Sequence, residues 1–496
     1  MIKVKKGVKT EAKKPEKVTF NISKKNNFSE WYSEIIQKAE LGDLRYNVKG
    51  FIVFQPWSVL AMEKMYDYME KALQRKGHKP YWYPTLIPEK NLKLESSHIK
   101  GFTPQVFWIT SHGADEPLEE KLALRPTSET AFYQMFSLWI SSYKDLPFKT
   151  YQRAQVFRYE TAATRPFLRS REFHWIETHC AHATEEDALK QVYEDMATTK
   201  EVLHDIYGLP FIFFQRPAWD TFPGAKKTFA ADVLNPGGKV VQQPSTHIIK
   251  QEFARVFDVK YKDKDEKEKY VWTTCYGPAI SRIFASVVIV HGDDKGLRFP
   301  WKIAPVQMVI VPIKAEENLL KEAEKIKYEL EAKDISVEID KTDRTFGDKL
   351  YFWEMKGVPL RIEIGNREIR EGKLTIFRRD SNKKDQISRK ELLPYVEKTA
   401  KAIDENLIKQ ADSLFKDAIV DVKDKKDIKA AIDNGKIARV NFCSMEMDGA
   451  KCAEVVEKEM QATVRGIKLD EKEKASGKCV ICGKKAKEIV YIARQY

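Results

Sequence analysis

The stretch YQRAQVFRYETAATRPFLRSREFHWIETHCAHAT, residues 151–184, decides how the chain is interpreted. Its first part alternates well enough to predict a strand through QVFRYE. Residues two apart on a strand face the same side, so we expect Arg158 and Glu160 to point together. An arginine fork grips a carboxylate or phosphate through two parallel hydrogen bonds, and a carboxylate beside it accepts from an amine. The pattern predicts a site for a molecule that carries both an anion and an amino group.

The returning half of this stretch adds basic and aromatic residues. Arg169 and Arg171 come before a cluster in which Trp175, Glu177 and His179 are spaced two apart. The segment resembles the second signature of class II aminoacyl-tRNA synthetases, a Phe-Arg-x-Glu strand followed by a loop and a returning strand. Its second half, TRPFLRSREFHWIETHCAHAT, is similar to the prolyl-tRNA synthetases within that class.

Three other stretches resemble the same family, so that the resemblance covers roughly residues 26–496. LRPTSET, residues 124–130, resembles the Thr-x-Glu substrate loop of prolyl-tRNA synthetases. CYGPAISRIFASVVIVHGDDKGL, residues 275–297, resembles the third class II signature with its HGD segment. An amphipathic helix over 59–75, followed by the predicted strand PYWYPTLIP at 80–88, resembles the first signature. In the family this first signature lies at the dimer interface, which implies a homodimer.

Composition limits the classes of protein that the chain can represent. Its 496 residues, 43% of them hydrophobic, predict a globular protein of two to four domains. The longest apolar candidate, residues 285–290, is far shorter than the ~20 residues of a membrane helix. A net charge of +13 fits a polyanionic partner such as tRNA, although a solvated lysine surface would give the same charge.

The chain order predicts four segments. Residues 1–25 form a basic tail without the apolar region of a secretory signal. Residues 26–300 alternate helices and strands, and the resemblance implies an α+β catalytic domain with an antiparallel sheet. Strand–helix–strand order in residues 301–405 predicts a compact, largely parallel α/β domain, which the resemblance implies is the anticodon-binding domain. Residues 406–496 form a small α/β domain with the last four cysteines.

The resemblance implies roles for four residues that contact ATP. Arg158 bridges the α-phosphate and the amino-acid carboxylate, and Glu160 accepts from the adenine amino group. Arg169 contacts phosphates, and Arg282 in GPAISR covers the adenine and γ-phosphate side. Amino-acid activation needs no protein nucleophile, since positioned arginines and Mg²⁺ stabilise the charge that builds on the phosphate.

The resemblance also implies a proline pocket, to which Arg158 contributes together with six further residues. The pocket consists of Thr127, Glu129, Trp175, Glu177, His179 and His247. A flat aromatic ring beside an acid suits a small apolar ring that carries a charged nitrogen. Gln242 and Ser245 are assigned to ATP, although PSTHIIKQEF at 244–253 departs from the family's Gly-Thr-Ser-His run nearby.

The cysteines indicate a metal site rather than a disulfide scaffold. Cys443, Cys452, Cys479 and Cys482 stand in the order Cys-x8-Cys-x26-Cys-x2-Cys near the end of the chain. Four thiolates form a closed tetrahedral site, so we predict structural zinc; four free cysteines or a half-lost site is the alternative. Six cysteines in all fit a reducing cytoplasm.

The sequence thus predicts a proline–tRNA ligase of the archaeal and eukaryotic-like type. It would form prolyl-adenylate from L-proline and ATP with Mg²⁺, and then charge tRNA(Pro). One alternative is another class II specificity, such as threonine or serine; another is a non-catalytic tRNA-binding paralogue. We further expect the basic residues of the Arg361 to Arg379 stretch to contact tRNA phosphates.

Overall fold

The computed structural model describes residue 20, residues 22–98 and residues 105–496. The predicted basic tail, residues 1–25, therefore lies almost entirely outside the described residues.

The first region carries the catalytic signatures. Its elements are α1 (Phe28–Lys38), β1 (Gly42–Asp43), β2 (Val53–Phe54), α2 (Pro56–Arg75), β3 (Lys79–Pro80), β4 (Leu86–Pro88), α3 (Glu89–His98), β5 (Trp108–His112), β6 (Glu116–Leu124), α4 (Glu129–Trp139), β7 (Phe148–Phe157), β8 (Glu172–His182), α5 (Glu185–Thr199), β9 (Ile212–Gln215), β10 (Lys227–Leu234), β11 (Lys239–Ile248), α6 (Glu252–Val256), β12 (Lys260–Lys262), β13 (Glu268–Tyr270), β14 (Trp272–Tyr276) and α7 (Ile280–His291).

Two further units follow. The middle unit contains β15 (Met308–Pro312), α8 (Glu317–Glu331), β16 (Val337–Ile339), α9 (Phe346–Lys356), β17 (Leu360–Ile364), α10 (Asn366–Glu371), β18 (Lys373–Arg378), β19 (Lys383–Ser388) and α11 (Leu392–Asp417). The C-terminal unit contains β20 (Ile419–Asp421), α12 (Lys425–Asp433), β21 (Ile437–Phe442), α13 (Ala450–Met460), β22 (Thr463–Lys468) and β23 (Glu488–Gln495).

A long mixed sheet, mostly antiparallel, forms the frame of the catalytic region. Its 11 strands run in the order β20-β21-β23-β22-β9-β10-β11-β14-β8-β7-β3. The hairpin of β7 and β8 pairs from Phe148 opposite Ala181 to Phe157 opposite Glu172. The apolar helix α7 packs against this sheet, with Phe284 and Val287 fully buried. The apolar run at 285–290 thus belongs to a core helix.

The strand predicted through QVFRYE is wrong at its end. β7 stops at Phe157, so Arg158 and Glu160 follow the strand instead of lying on it. The main-chain N–H of Arg158 still donates to Arg171 O at 2.9 Å, but that of Tyr159 donates to Gln105 O. The N–H of Glu160 then donates to Arg158 O at 2.7 Å, which turns the chain. The two side chains are therefore not held on one face by strand geometry.

The single strand predicted over 80–88 is also wrong. β3 joins the edge of the long sheet beside β7, whereas β4 joins β5 and β6 in a separate three-stranded sheet. Prolines 80, 84 and 88 lack the N–H that a continuous ladder requires, so the segment splits into two short strands.

The middle unit is an α/β unit with a mixed sheet. Its strand order is β16-β15-β17-β18-β19, where the first two pairings are parallel and the last two antiparallel. The prediction of a largely parallel sheet is wrong for this half, because the short helix α10 returns the chain directly beside β17. The boundary predicted at 405/406 falls inside α11, which runs unbroken for 26 residues.

The C-terminal unit continues the catalytic sheet. β22 pairs with β9, and the end of β23 pairs with β11, so main-chain hydrogen bonds join the two regions. None of the helices in the described part of the chain combines the length and apolar character that crossing a membrane requires.

Candidate active site

A cavity of about 370 Å³ opens above β8, β10, β11 and β14. Eight of the predicted site residues line it: Thr127, Glu129, Arg158, Trp175, Glu177, Gln242, Ser245 and His247. The structure thus gathers the ends of several elements that are far apart in sequence. Four predicted residues, His179, Glu160, Arg169 and Arg282, lie outside this lining.

Glu177 is the most heavily hydrogen-bonded acid of the cavity. Its Oε1 accepts from the Thr127 hydroxyl and from the Ser128 N–H, both at 3.0 Å, and lies 3.0 Å from His179 Nε2. Its Oε2 accepts from Gln152 at 3.2 Å. Burial raises the pKa of Glu177, but the contacts with His179 and Ser128 together lower it by more. The net shift of the pKa is therefore downward. The side chain is therefore an anion.

Glu129 contrasts with Glu177 a few ångströms away. It is 3% exposed, and its Oε2 has no hydrogen-bond partner among the described residues. Burial and then the neighbouring charge of Glu177 raise the pKa of Glu129. A buried carboxyl oxygen without a partner is costly unless a cation arrives to pair with it. Glu129 is thus the group of this cavity that is best prepared for an ammonium ligand.

His179 supports the cavity from behind. It is fully buried, with Nε2 against Glu177 and Nδ1 3.1 Å from the Tyr133 hydroxyl. These contacts hold the carboxylate of Glu177 and leave the imidazole outside the lining. His247 does line the cavity, between Thr228 Oγ1 at 2.9 Å and Ser245 Oγ at 3.0 Å. Burial lowers the pKa of His247 to about 3, so this imidazole is neutral.

Arg158, which directly follows β7, lines the cavity. Its Nε donates to Pro126 O at 3.0 Å, and its guanidinium lies 5.2 Å and 6.0 Å from the rings of Phe173 and Trp175. Burial lowers its pKa, yet Glu129 and Glu160 favour the charged form. A fixed, partly desolvated cation at this position suits a phosphate or carboxylate oxygen.

Arg282 lies in the first turn of α7. Its Nε donates to Leu168 O at 3.2 Å, and its Nη1 donates to Gln242 O at 3.4 Å. Burial, then the charges of Arg158 and Arg169, lower its pKa to about 10, so it remains a cation at neutral pH. Three arginines that repel one another make this end of the site attractive to a polyanion.

Arg169 and Glu160 sit at the margin. One Arg169 nitrogen donates to the main-chain oxygen of Tyr496 at 2.9 Å, which brings the last residue of the chain beside the arginine cluster. The main-chain oxygen of Glu160 accepts from Arg171 at 3.1 Å. The structure therefore places both near Arg158 but does not place them in the cavity wall.

The sequence interpretation missed one wall of the cavity. Arg216, Trp219, Asp220, Phe222 and Thr228 line it from the loop between β9 and β10 and from the start of β10. No motif marks these residues, because their role depends on strand pairings that join distant segments.

The expected tRNA contacts of the Arg361 to Arg379 stretch need a correction. Arg361 is 2% exposed and pairs with Glu363 at 2.9 Å, and Arg379 is 1% exposed and pairs with Asp293. Neither is accessible to a phosphate. Arg367, Arg370 and Lys373 of the same stretch are exposed.

The four C-terminal cysteines come together. Their Sγ atoms all lie within 4.8 Å of one another, and Cys443 Sγ is 3.6 Å from Cys452 Sγ. A tetrahedral zinc with Zn–S bonds of about 2.3 Å separates its sulfurs by about 3.8 Å. Gly483 has a φ of +72°, which lets its N–H turn back to Cys479 O at 2.9 Å and close the Cys-x2-Cys turn. The donor set and spacing fit zinc.

The antiparallel sheet, the hairpin that presents Arg158 and the helix that presents Arg282 define a class II aminoacyl-tRNA synthetase core. The family model described as "tRNA synthetase class II core domain (G, H, P, S and T)" matches residues 107–291. "Anticodon binding domain" matches residues 307–399, and "Prolyl-tRNA synthetase, C-terminal" matches residues 425–496.

Comparison with individual proteins identifies the family within the class II synthetases. The chain is 45% identical to a proline–tRNA ligase of Thermofilum pendens, over 96% of this chain and 98% of the relative. It is 40% identical to one of Methanopyrus kandleri, over 95% and 96% of the two chains. A Giardia lamblia prolyl-tRNA synthetase in complex with prolyl-adenylate superposes with a TM-score of 0.92 at 36% identity, over 96% and 100% of the two chains. The chain belongs to the proline–tRNA ligase family, which confirms the predicted family and fold class.

Proposed function

We propose that this chain activates L-proline with ATP to prolyl-adenylate and pyrophosphate, and then transfers the prolyl group to tRNA(Pro). One observation carries the residue assignment: a single cavity holds the buried carboxyl of Glu129, whose Oε2 has no hydrogen-bond partner among the described residues, and the guanidinium of Arg158. An amino acid carries the complementary pair of charges. Membership of the family supports the same activity.

The acidic end receives the substrate nitrogen. The secondary ammonium of proline binds between Glu129 and the Thr127 hydroxyl, and its charge favours the ionised form of Glu129. The rings of Trp175 and Phe222 line the same cavity and suit the apolar pyrrolidine ring. His179 keeps Glu177 in place, so the floor of the pocket is fixed before substrate enters.

The basic end receives ATP as its magnesium complex, so that the metal enters with the substrate. Arg158 contacts both the proline carboxylate and the α-phosphate, which brings the attacking oxygen in line with the phosphorus. Arg282 and Arg169 hold the remaining phosphates, and Glu160 contacts the adenine. Gln242 and Ser245, which line the same cavity, contact the nucleotide. These donors stabilise charge that develops during the reaction, without a covalent enzyme intermediate.

Transfer uses the same positioned prolyl-adenylate, a mixed anhydride. The terminal ribose hydroxyl of tRNA attacks its carbonyl carbon and forms the new ester bond, the bond from that carbon to the phosphate oxygen breaks, and AMP leaves with the bonding electron pair while its phosphate takes up the hydroxyl proton. The buried imidazole of His247 is neutral, so it adds no positive charge beside the substrate ammonium. The middle unit, with its exposed Arg367, Arg370 and Lys373, contacts the tRNA backbone.

The cysteine cluster holds structural zinc, and the working enzyme is a cytoplasmic homodimer. The first-signature helix α2 and the segment after β3 present exposed apolar side chains, among them Leu60 and Trp82 at 48% and 91% exposed. Such exposure on a signature that forms the dimer interface in the family supports a second copy at this face. Light scattering at micromolar concentration tests this; a monomeric mass with full charging activity would contradict it.

Pyrophosphate exchange across the twenty common amino acids tests the main proposal. We expect strong ATP-dependent exchange with proline alone. Exchange with threonine or serine and none with proline would indicate another class II specificity. No exchange with any amino acid, in a folded protein that still binds tRNA, would indicate the non-catalytic alternative.

A further inference from the structure

Asp232, a fully buried aspartate on β10, is gripped by two arginines from different parts of the chain. Arg216 follows β9 and donates to the two carboxylate oxygens at 2.7 Å and 3.0 Å. Arg465 lies on β22 of the C-terminal unit, 233 positions after Asp232 in sequence. It donates to the same two carboxylate oxygens at 2.7 Å and 3.1 Å. Both arginines are as buried as Asp232, at 2–3% exposed.

Burying these three charged groups costs free energy, and their hydrogen bonds are geometrically specific. Burial raises the pKa of Asp232, but the two guanidinium groups outweigh it and lower the pKa to about 2. Buried ion pairs often add little stability compared with apolar side chains of similar volume. A fully buried carboxylate with two guanidiniums therefore suggests a role in orientation rather than in stability alone.

The network leads to the nucleotide side of the cavity. Gln242 on β11 lies directly opposite Asp232 on β10. The second terminal nitrogen of Arg216 donates to Gln242 Oε1 at 3.2 Å, while Arg282 donates to the main-chain oxygen of Gln242. Because its oxygen accepts from Arg216, Gln242 can offer its amide nitrogen as a donor to a ligand in the cavity that it lines.

The C-terminal unit fixes the position of Arg465 through its main chain. β22 pairs with β9, and Arg465 O accepts from Arg216 at 2.8 Å. Gly466 has a φ of +126°, and a Cβ there would lie 2.0 Å from Gln215 O, so only glycine permits this approach.

The loop that bears Arg216 also rests on the C-terminal unit. The N–H of Ala218 donates to Met445 O at 2.9 Å. Trp219 lines the cavity on one side and packs on the other against the core that contains Phe442. One wall of the active site is therefore supported from the C-terminal unit at three points.

We propose that Arg465 is a positioning residue for amino-acid activation, which acts on the ATP site through Asp232, Arg216 and Gln242. The inference rests on the proposed function, because it assigns Gln242 to ATP. The C-terminal unit thereby contributes to the first half-reaction although Arg465 lies outside the lining of the cavity.

Steady-state pyrophosphate exchange of the full-length Arg465→Met variant tests the proposal. Methionine keeps much of the volume and removes the charge. We expect the KM for ATP to rise about tenfold while the KM for proline stays within about twofold. Arg465→Lys keeps a cation near Asp232 and should recover part of the ATP affinity, which a purely structural loss would not predict. Zinc content should remain unchanged in both variants.

Arg379→Met is the matched control, since Arg379 is 1% exposed and makes the same kind of two-point contact with an aspartate, Asp293. It should leave both KM values in exchange unchanged. The Arg465→Met change repeated in a Gln242→Ala background should have little further effect on the KM for ATP.

Three results would overturn the inference: unchanged KM for ATP in Arg465→Met, equal rises for ATP and proline, or full additivity with Gln242→Ala. If Arg465→Met does not fold, the KM values of Arg465→Lys are measured with and without Gln242→Ala. The same three results in that pair would overturn the inference. Failure of the wild-type chain to exchange with proline would instead contradict the proposed function, so the two failures are distinguishable.

Discussion

The C-terminal unit and the middle unit are joined to the catalytic core in different ways. The C-terminal unit adds strands to the catalytic sheet, through β22 beside β9 and β23 beside β11. The middle unit keeps its own five-stranded sheet, and most of its apolar residues form a separate core, although Trp353, Met355 and Val358 pack into the core of the catalytic region. It contacts the catalytic region through side chains, such as Arg379 with Asp293, and through the hydrogen bond from the Leu297 N–H to Met355 O at 3.0 Å, but the strands of the described residues do not pair across this boundary.

This difference separates two kinds of contribution. A shared sheet transmits position rigidly, because a shift of β22 displaces the main chain of β9 and the cavity loop that follows it. Packing between two separate sheets, without strand pairing, couples the two main chains less directly. We therefore expect damage to the C-terminal unit to affect activation, and damage to the exposed surface of the middle unit to affect tRNA charging.

The largest effect should come from the core itself. Arg158→Ala should lower proline-dependent exchange at least about a hundredfold, since it removes a donor that acts on developing charge. Circular dichroism should show an intact fold. Arg75→Ala, which removes an exposed arginine paired with Glu201, is the control and should retain activity. Near-normal exchange in a folded Arg158→Ala protein would contradict the role of Arg158.

Loss of zinc should destabilise the C-terminal unit and thereby impair the active site. Cys479→Ser should abolish binding of one zinc per chain, lower Tm by several degrees and reduce exchange as well as charging. Metal analysis and calorimetry check the first two effects. Cys180→Ala, at a buried cysteine outside the cluster, should keep its zinc. A Cys479→Ser protein with the same metal content and Tm as wild type would remove the zinc assignment.

Damage to the surface of the middle unit should have the opposite selectivity. Replacing Arg367, Arg370 and Lys373 with alanine should raise the KM for tRNA about tenfold and leave exchange unchanged. The dependence of tRNA affinity on salt should also become shallower, because fewer phosphates are contacted. Lys190→Ala, at an exposed lysine of α5, should change neither activity. Equal loss of exchange and charging would contradict the separation of the two units.

The smallest effect concerns the junction between the catalytic region and the middle unit. Asp404 on α11 accepts from the Trp301 N–H at 2.6 Å, and burial raises its pKa to about 6. Between pH 4 and 6 the folded chain therefore binds a proton that the unfolded chain does not, so this group reduces stability as pH rises through that window.

Asp404→Asn should remove this dependence. Above pH 6 the variant should be more stable than wild type, and below pH 4 the two should agree. Urea unfolding at pH 4 and pH 7.5 measures the difference. A variant that is less stable at pH 7.5 would show that the hydrogen bond to Trp301 outweighs the cost of burying the charge.

Sequence reasoning found the parts of the site that lie within one local motif. The strand that leads to Arg158 and the cysteine cluster follow from residue spacing, and the role of Arg282 follows from the family resemblance of its motif. It extended β7 too far, because alternation cannot reveal that Tyr159 pairs with Gln105 of another segment. The middle unit was expected to be more parallel than it is, since strand spacing does not encode direction.

Long-range burial was beyond the reach of the sequence. Arg361 and Arg379 look like surface residues in a basic stretch, yet both are buried by ion pairs. The link between Asp232 and Arg465 leaves no local pattern, because two strands whose residues are 233 positions apart in sequence create it.

A structure of the chain with a non-hydrolysable analogue of prolyl-adenylate tests the central claim most directly. The account predicts the pyrrolidine nitrogen within hydrogen-bonding distance of Glu129 and the Thr127 hydroxyl, the phosphate against Arg158, and the nucleotide beside Gln242. A ligand bound in the reverse orientation, with its nucleotide at Glu129, or bound outside this cavity, would contradict it.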